Sequence, residues 1–291
     1  MEIRVLRYFL EAAREGSITR AAQRLFVSQP TMSKQLKELE NELGVKLFVR
    51  SNYSIRLTEA GMLLRERAAD IIELADKTKD EFRSLDEINS GDIYVGSAES
   101  ESISRFTDAV KYIRDAYPGI RCNIYSGNME EVCEKLDRGL LDFAIVMSFV
   151  DINKYNYLKV PAADTWGVLM KKGDPLSQKG SLTVDDIRSL PLICSRQWLE
   201  QDFPQWFGSG ADEVTVAATF NLNYNAAVMV RSGIGYAVTY DKLNSTGEDS
   251  DLAFRELKGV PKSEMYVIWR KYQTFTPAVK LVLNELKRRF K

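Results

Sequence analysis

The stretch that decides the fold is GSITRAAQRLFVSQPTMSKQLKELENELG, residues 16–44. Its first half predicts a short helix in which the small residues Ala21 and Ala22 permit close helix approach. Ser28 is placed to cap a second helix, and Pro30 is tolerated in its first turn because the missing N–H would have no helical partner there. Gly44 ends that helix. The stretch therefore predicts two short helices joined by a tight turn.

An earlier helix precedes this pair. Its apolar residues recur at helical spacing, namely Leu6, Phe9, Leu10 and Ala13. Gly16 ends it, and Ser17 is placed to cap the helix that follows. Three helices in about forty residues can share one small core.

The helix that ends at Gly44 has two unlike faces. One is an apolar stripe with steps of four, three and four residues, formed by Met32, Leu36, Leu39 and Leu43. The opposite side presents Pro30, Ser33, Lys34 and Lys37. Lysines and hydroxyls suit phosphates, and short polar groups suit base edges in the major groove. An ordinary solvated helix face is the alternative that periodicity leaves open.

A short antiparallel pair of strands is predicted next. Val45 to Val49 indicates one strand, residues 52–54 a turn, and Ile55 to Leu57 the returning strand. Such a pair beside two helices forms a wing. Side chains on or beside its tip, which can reach a phosphate or the minor groove, are those of Arg50, Asn52 and Arg56.

These residues closely resemble the winged helix-turn-helix of LysR-type transcriptional regulators. The match covers about 45 positions, and its members are Gly16-Ser17, Ala21-Ala22, Leu25, Ser28-Gln29-Pro30, Ser33, Leu39-Glu40, Leu43-Gly44, Leu47-Phe48, Arg50, Leu57-Thr58 and Ala60-Gly61. Tyr53 stands where the family commonly has a second arginine. The resemblance implies binding to double-stranded DNA through Ser28, Gln29, Pro30, Thr31, Ser33, Lys34, Lys37, Arg50, Asn52, Tyr53 and Arg56.

A long helix is predicted after the wing, capped by Thr58 with Glu59 in its first turn. Its apolar seam alternates steps of four and three through Leu64, Ala68, Ile71, Ala75, Thr78, Phe82 and Leu85. A second copy of the helix is one cover for this seam, and packing on its own domain is the other. The resemblance favours a homodimer, or a tetramer, with Leu64, Ala68, Ile71, Ala75 and Phe82 as dimerisation residues. Paired heads would read an imperfect inverted repeat.

From Gly91 onward, short apolar strands alternate with helical segments, which predicts parallel sheets. A second such unit begins after Pro161, and the strand Met265 to Arg270 with its terminal helix could complete the first unit. The predicted fold is α/β multidomain: an all-α winged head (1–58), a linker helix (59–90) and a two-lobed, doubly wound domain (91–291). Lobe I comprises about 91–162 and 266–291, and lobe II about 163–265. This domain resembles the periplasmic-binding-protein-like effector domain of the same family.

Ligands bind beyond the carboxyl ends of parallel strands, where helix N-termini supply N–H donors. Polar residues at such places, predicted to bind an effector, are Ser97, Ser100, Ser102, Ser126, Asn128, Ser148, Ser195, Arg196, Asn223 and Tyr224. Each could equally be a helix cap or turn former. Glu99 and Glu101 would oppose the anions that are frequent effectors in the family, and Arg196 could compensate. We expect a small polar metabolite of open charge.

Composition excludes several other classes of protein. The 291 residues include no histidine, which excludes a Ser-His-Asp triad and the imidazole-dependent zinc sites. The three cysteines form no CxxC pair, so neither a metal site, a disulfide framework nor another cofactor is predicted. No apolar stretch is long enough to span a membrane or to direct secretion, which favours a cytoplasmic protein. Residues 1–60 carry a net charge of +3 and the remainder −4.

The sequence thus predicts a transcriptional regulator rather than an enzyme. Ligand binding in the cleft would shift a population of subunit arrangements and so change DNA bend or half-site spacing, with RNA polymerase as a further partner. A solute-binding protein with an accessory helical head is the alternative from another class.

Overall fold

The computed structural model describes residues 1–50, 54–83, 90–147 and 151–290, except the side chain of Arg50. The chain forms two compact units, Met1–Arg83 and Ser84–Lys291. Predictions that fall outside the described residues are those for Asn52, Tyr53, Leu85, Ser148 and the Arg50 side chain.

The first unit, called the head below, contains the predicted helices and wing. Its elements are α1 (Ile3–Glu15), α2 (Ile18–Arg24), α3 (Gln29–Leu43), β1 (Phe48–Arg50), β2 (Ile55–Leu57) and α4 (Glu59–Arg83). The strand predicted from Val45 begins only at Phe48, because the Val45 N–H still donates to the Glu40 carbonyl and closes the end of α3. The two strands pair antiparallel, with Phe48 opposite Leu57.

One core holds the three helices and the wing together. Leu6 and Phe9 of α1, Met32 and Leu36 of α3, and Phe48 of the wing are buried in it. Leu43, predicted to share this stripe, is 39% exposed, because it is the last residue of α3 and lies beyond the core. The chain approaches itself closely where α4 begins: a Cβ on Gly61 would lie 2.2 Å from the Leu47 carbonyl oxygen. Only glycine fits there without a shift.

The second unit contains two five-stranded sheets. Its elements in chain order are β3 (Ser90–Ser97), α5 (Ser104–Ala116), β4 (Gly119–Ser126), α6 (Met129–Asp137), β5 (Phe143–Met147), β6 (Tyr155–Asp164), β7 (Trp166–Lys171), α7 (Val184–Ile187), β8 (Leu192–Ser195), α8 (Arg196–Gln201), α9 (Phe203–Phe207), β9 (Val216–Phe220), α10 (Asn223–Arg231), β10 (Tyr236–Tyr240), β11 (Leu252–Glu256), β12 (Ser263–Arg270) and α11 (Pro277–Arg289).

The strand order is β4-β3-β5-β12-β6 in the first sheet and β11-β7-β10-β8-β9 in the second. Helices α5 and α11 cover one face of the first sheet, through a core that includes Phe106, Phe143 and Val282. The other face packs against α6. The placement of β12 and α11 in this sheet matches the expectation that they complete the first unit.

The expectation of parallel sheets is only partly correct. The pairs β3·β4, β3·β5, β8·β9 and β8·β10 are parallel, whereas β12 and β7 pair antiparallel with both of their neighbours. The edge strands β6 and β11 were not predicted, and Pro161 lies within β6. The chain crosses between sheets twice, at Thr165 and at residues 257–262, and Ser263 pairs with Asp164 beside the first crossing. None of the helices described is long and apolar enough to cross a membrane.

Candidate nucleic-acid interface and effector cleft

The N-terminal end of α3 presents exposed side chains to solvent. Ser28 caps the helix, with its Oγ accepting from the Thr31 N–H at 3.3 Å and lying 2.7 Å from the Thr31 hydroxyl oxygen. Both side chains are exposed, as are those of Gln29 and Pro30, while Ser33 is half-buried. The cap fixes the first turn of α3, so these side chains form an exposed surface at the N-terminal end of the helix.

The cations of this surface differ from several other cations of the head, which are held in ion pairs. Lys37 and Arg56 are exposed and make no ion pair with any residue that the structure describes. Lys34 has only a long contact, 3.9 Å, to the exposed Glu38. In contrast, Arg7 and Arg24 hold Asp76 and Glu15 at 2.5 and 2.6 Å. Lys37 and Arg56 are therefore among the cations that the head leaves available, as are the exposed Arg65, Arg67 and Lys79 of α4.

Glu40 joins α3 to the wing. This side chain is buried, and its Oε1 accepts from the backbone N–H groups of Leu47 at 2.9 Å and Phe48 at 3.3 Å. Lys46 lies 3.2 Å from the other carboxylate oxygen. Burial opposes ionisation, but these donors outweigh it and hold the pKa of Glu40 below its ordinary value of 4.5. The carboxylate thus fixes the wing against α3.

Phe26 is a feature that the sequence analysis did not single out. It lies in the turn between α2 and α3, its side chain is 96% exposed, and its φ of 54° is in the left-handed region. A bulky residue rarely adopts that conformation, and Asn or Gly adopts it more readily. No signal of composition or periodicity would have found it, because the turn geometry alone makes it unusual.

The linker helix divides the predicted dimerisation residues into two groups. Ala68 is fully buried against the core of the head, and Leu64 and Ile71 pack partly against the same core. The alternative kept open above therefore holds for this half of the seam, and Ala68 is not accessible to a second copy. Farther along α4, Ala75 is half-buried, and Phe82 is 69% exposed. Leu74, which was not predicted, is 41% exposed.

A cleft of about 770 Å³ lies in the second unit and receives side chains from both sheets. Four predicted effector residues line it, and they are Asn128, Ser195, Arg196 and Asn223. Asn128 and Ser195 also cap α6 and α8, so their hydroxyl or amide oxygens are occupied by backbone N–H groups. Only the Arg196 side chain, exposed at the edge, makes no hydrogen bond or ion pair with the described part of the chain.

The other described effector candidates do not line the cleft, and the predictions for them are corrected accordingly. Ser100 and Ser102 are buried around Asp164: the Ser100 hydroxyl donates to Asp164, and the Ser102 N–H donates to Ser100 Oγ at 2.9 Å. Ser97 is buried and donates to the Ala98 carbonyl. Ser126 and Tyr224 are exposed outside the lining.

Cleft residues that were not predicted from the sequence come mainly from the second sheet and the helices beside it. Aromatic side chains on this wall are those of Trp166, Trp198, Phe220 and Tyr240. Carboxylates around the cleft are those of Glu99, which the sequence had indicated, and of Glu130, Glu131, Glu200 and Asp202, which it had not. They lie far apart in sequence, so no local motif could have revealed them together. No group of residues suited to hold a metal ion occurs in the described ranges.

The cysteines have the chemistry of buried side chains. Burial raises the pKa of Cys122 to about 11 and that of Cys194 to about 12, and it also raises the pKa of Cys133. Thiolates, which react with oxidants, are therefore scarce at neutral pH.

Two protein-family models match the chain. Residues 3–62 match the model described as bacterial regulatory helix-turn-helix protein, lysR family, and residues 87–291 match the LysR substrate binding domain. The HTH-type transcriptional regulator YtlI of Bacillus subtilis (strain 168) is 30% identical over 244 residues, which cover 82% of this chain and 77% of that protein. The HTH-type transcriptional activator CmpR of Synechocystis sp. is 25% identical over 287 residues, 96% of this chain and 92% of that protein.

Solved structures with the same fold include two of CbnR. The full-length protein complexed with its target DNA matches at a TM-score of 0.79 and 22% identity, covering 99% of this chain and 100% of that chain. CbnR alone, described as a LysR family transcriptional regulator, matches at a TM-score of 0.80 and 21% identity over all of both chains. At these identities the likeness concerns the fold.

Proposed function

This chain belongs to the LysR family of bacterial helix-turn-helix transcriptional regulators, and from that premise we propose which of its surfaces bind DNA and effector. The first turns of α3 enter the major groove, where Gln29 and Ser33 contact base edges. Lys34, Lys37 and Arg56 contact phosphates. The observation that carries this assignment is that Lys37 and Arg56 have no ion-pair partner among the described residues of the head.

Selection from a library of random duplexes with the full-length protein tests this assignment. The selected sites should form an imperfect inverted repeat. Gln29→Ala should relax the base preference within each half-site, because its amide reads a base edge. Lys34→Ala should weaken selected and random duplexes alike, because phosphate contacts are independent of sequence. The opposite pattern for the two variants would contradict the proposed orientation of α3.

We also propose that the protein is a homodimer, or a dimer of dimers, held in part by the exposed end of α4. Phe82 follows Leu74 by eight positions, which places both side chains on the same side of the helix about two turns apart. A second copy of α4 would cover both. Phe82→Glu should shift the mass measured by light scattering toward the monomer, whereas Lys79→Glu on the same helix should not. Equal masses for Phe82→Glu and the unchanged protein would contradict the proposal.

The second unit binds the effector in the cleft between its sheets and transmits binding as a shift between arrangements of the lobes. The two crossings near Thr165 and Ser263 lie side by side, as a hinge between the lobes requires. A regulator that acts on the chromosome works in the cytoplasm, and we place the protein there. RNA polymerase is the further partner that regulation at a promoter involves.

A further inference from the structure

The effector cleft has many more acidic than basic groups. Arg196 is the one basic residue in its described lining, against five carboxylates. Two of these have partners within the chain: Glu131 completes the capping box of α6, and Glu99 accepts from the Asn223 N–H. Glu130, Glu200 and Asp202 have no hydrogen-bond or ion-pair partner in the part of the chain that the structure describes. The cleft therefore presents uncompensated negative charge.

Asp202 lies where this charge is least solvated. Burial raises the pKa of its carboxyl, because the ionised form is poorly solvated there. A cationic partner would stabilise that ionised form. Burial chiefly, and the charge of nearby Asp202 as well, raise the pKa of Tyr240. The Tyr240 ring stacks on Trp166 with 4.1 Å between ring centroids, and both residues line the cleft. A carboxylate beside aromatic side chains is suited to an organic ammonium group.

The place where an anion would bind is already occupied. Helix α10 begins at Asn223, and its N-terminus is the positive end of a helix dipole. The Glu99 carboxylate of the other lobe accepts from the Asn223 N–H at 2.5 Å. An anionic ligand would have to displace this carboxylate or lie beside it. The protein's own side chain therefore satisfies the anion position of the cleft.

Asn223 gives a second and independent sign of a ligand. Its side chain is 5% exposed, and its Oδ1 accepts from the Thr239 hydroxyl at 2.6 Å. Its Nδ2 is buried and has no partner. Buried donors are nearly always satisfied, so this amide is matched to an accepting oxygen that the cleft takes up. Asn223 and Thr239 both line the cleft, as do the acidic and aromatic residues.

We propose that the cleft binds a small organic ammonium compound that has an accepting oxygen and no net negative charge. The ammonium group lies between Asp202 and the rings of Trp166 and Tyr240, and the oxygen accepts from Asn223 Nδ2. Amino alcohols, amino acids and amino acid amides have this chemistry. The inference rests on the proposed function of the cleft as the effector site, and it adds the class of effector.

Calorimetric titration of the full-length protein tests the inference, with ethanolamine, the L-amino acids other than aspartate and glutamate, and amino acid amides as probes. Succinate and adipate serve as anionic probes of similar size. At least one ammonium probe should bind, and both dicarboxylates should not. Asp202→Asn keeps the shape of the side chain and should weaken the bound ammonium probe about tenfold or more, since it removes the charge partner. Asp212→Asn, an exposed acid outside the cleft lining, should change its affinity less than about twofold.

Affinity for the selected DNA site, measured on the same preparations, separates this inference from the function on which it rests. A protein that binds DNA but no ammonium probe would overturn the inference and leave the DNA assignment standing. Binding of a dicarboxylate in place of the ammonium probes would also overturn it. So would an Asp202→Asn variant that unfolds at the same temperature as the unchanged protein and binds the ammonium probe equally well.

Discussion

The head and the effector cleft leave opposite charges without partners. On the head, Lys37 and Arg56 are free while Arg7 and Arg24 are paired. In the cleft, Asp202 is free while Glu99 is held by a backbone N–H. The chain has a net charge of only −1, which conceals both surfaces. The comparison teaches that charges unsatisfied within the protein, rather than its total charge, indicate the sign of each partner.

Two carboxylates, the buried Glu40 and the half-buried Asp202, allow this difference to be measured. Glu40 of the head is fully paired, so its replacement should have the largest effect on stability. Glu40→Ala leaves the N–H groups of Leu47 and Phe48 buried without an acceptor, which should lower the free energy of unfolding by about 2–3 kcal/mol. Chemical denaturation measures the loss. Glu38→Ala, an exposed acid on the same helix, is the control and should change stability by less than about 0.5 kcal/mol.

Replacement of Phe26 tests whether the turn between α2 and α3 holds local strain. Phe26→Asn should raise the free energy of unfolding by about 1 kcal/mol, because Asn tolerates a positive φ and the phenyl ring buries almost nothing. Phe26→Ala keeps a Cβ in the same conformation without the local hydrogen bonding of Asn and should gain less. A loss of stability in Phe26→Asn would show that the ring has packing that the exposed surface does not suggest.

Asp202 should behave in the opposite way to Glu40. Asp202→Asn removes a desolvated charge with no partner, so the free energy of unfolding should stay unchanged or rise by up to about 1 kcal/mol. Thermal unfolding of the full chain without ligand measures the change. A loss comparable with that of Glu40→Ala would mean that Asp202 has a stabilising partner, and it would contradict the claim that this charge is unpaired in the cleft.

The two carboxylates should also differ in their dependence on pH. The folded pKa of Glu40 is lowered, so its contribution to stability is complete above about 4.5 and is lost as the pH falls below that value. The folded pKa of Asp202 is raised above 3.8, so protonation favours the folded state and its contribution becomes more favourable as the pH falls through the raised pKa. Glu40→Gln should therefore reduce the loss of stability between about pH 5 and 3, and Asp202→Asn should increase it. Matching changes in both variants would contradict these assignments.

The smallest effect is expected at the cysteines. Because burial raises the pKa values of Cys122, Cys133 and Cys194, mild oxidation with hydrogen peroxide should leave DNA affinity within about twofold of its starting value. Mass spectrometry of the treated protein shows which thiols have reacted. A large change in affinity that a reductant reverses would identify a redox switch.

The two regions also differ in how much of each the sequence predicts. The α3 surface follows from local spacing, since one helical period places Met32 and Leu36 in the core and leaves Lys34 and Lys37 outside. Helix caps can be predicted for the same reason, because the side chains of Ser17 and Ser28 each accept a hydrogen bond from a backbone N–H only three residues ahead. The long seam of α4 illustrates the limit: its spacing is regular, but only tertiary packing decides that Ala68 belongs to the head.

The cleft could be predicted only in outline. Serines at strand ends indicated its edge, but Ser100 and Ser102 are satisfied by Asp164, a residue about sixty positions away. Trp166, Asp202 and Tyr240 meet through sheet pairing and helix packing that no local pattern specifies. Strands β7 and β12 were predicted, but their antiparallel direction was not, because strand direction depends on long-range pairing.

The dependence of DNA affinity on salt concentration tests the central claim most directly. Each lost phosphate contact should reduce the magnitude of the slope of log affinity against log salt by about one. Lys37→Ala in the full-length protein should therefore show a slope smaller by about one on its selected duplex, whereas Arg14→Ala, whose guanidinium pairs with Glu11, should keep the original slope. Equal slopes for Lys37→Ala and the unchanged protein would contradict the assignment of the α3 face as the DNA-binding surface.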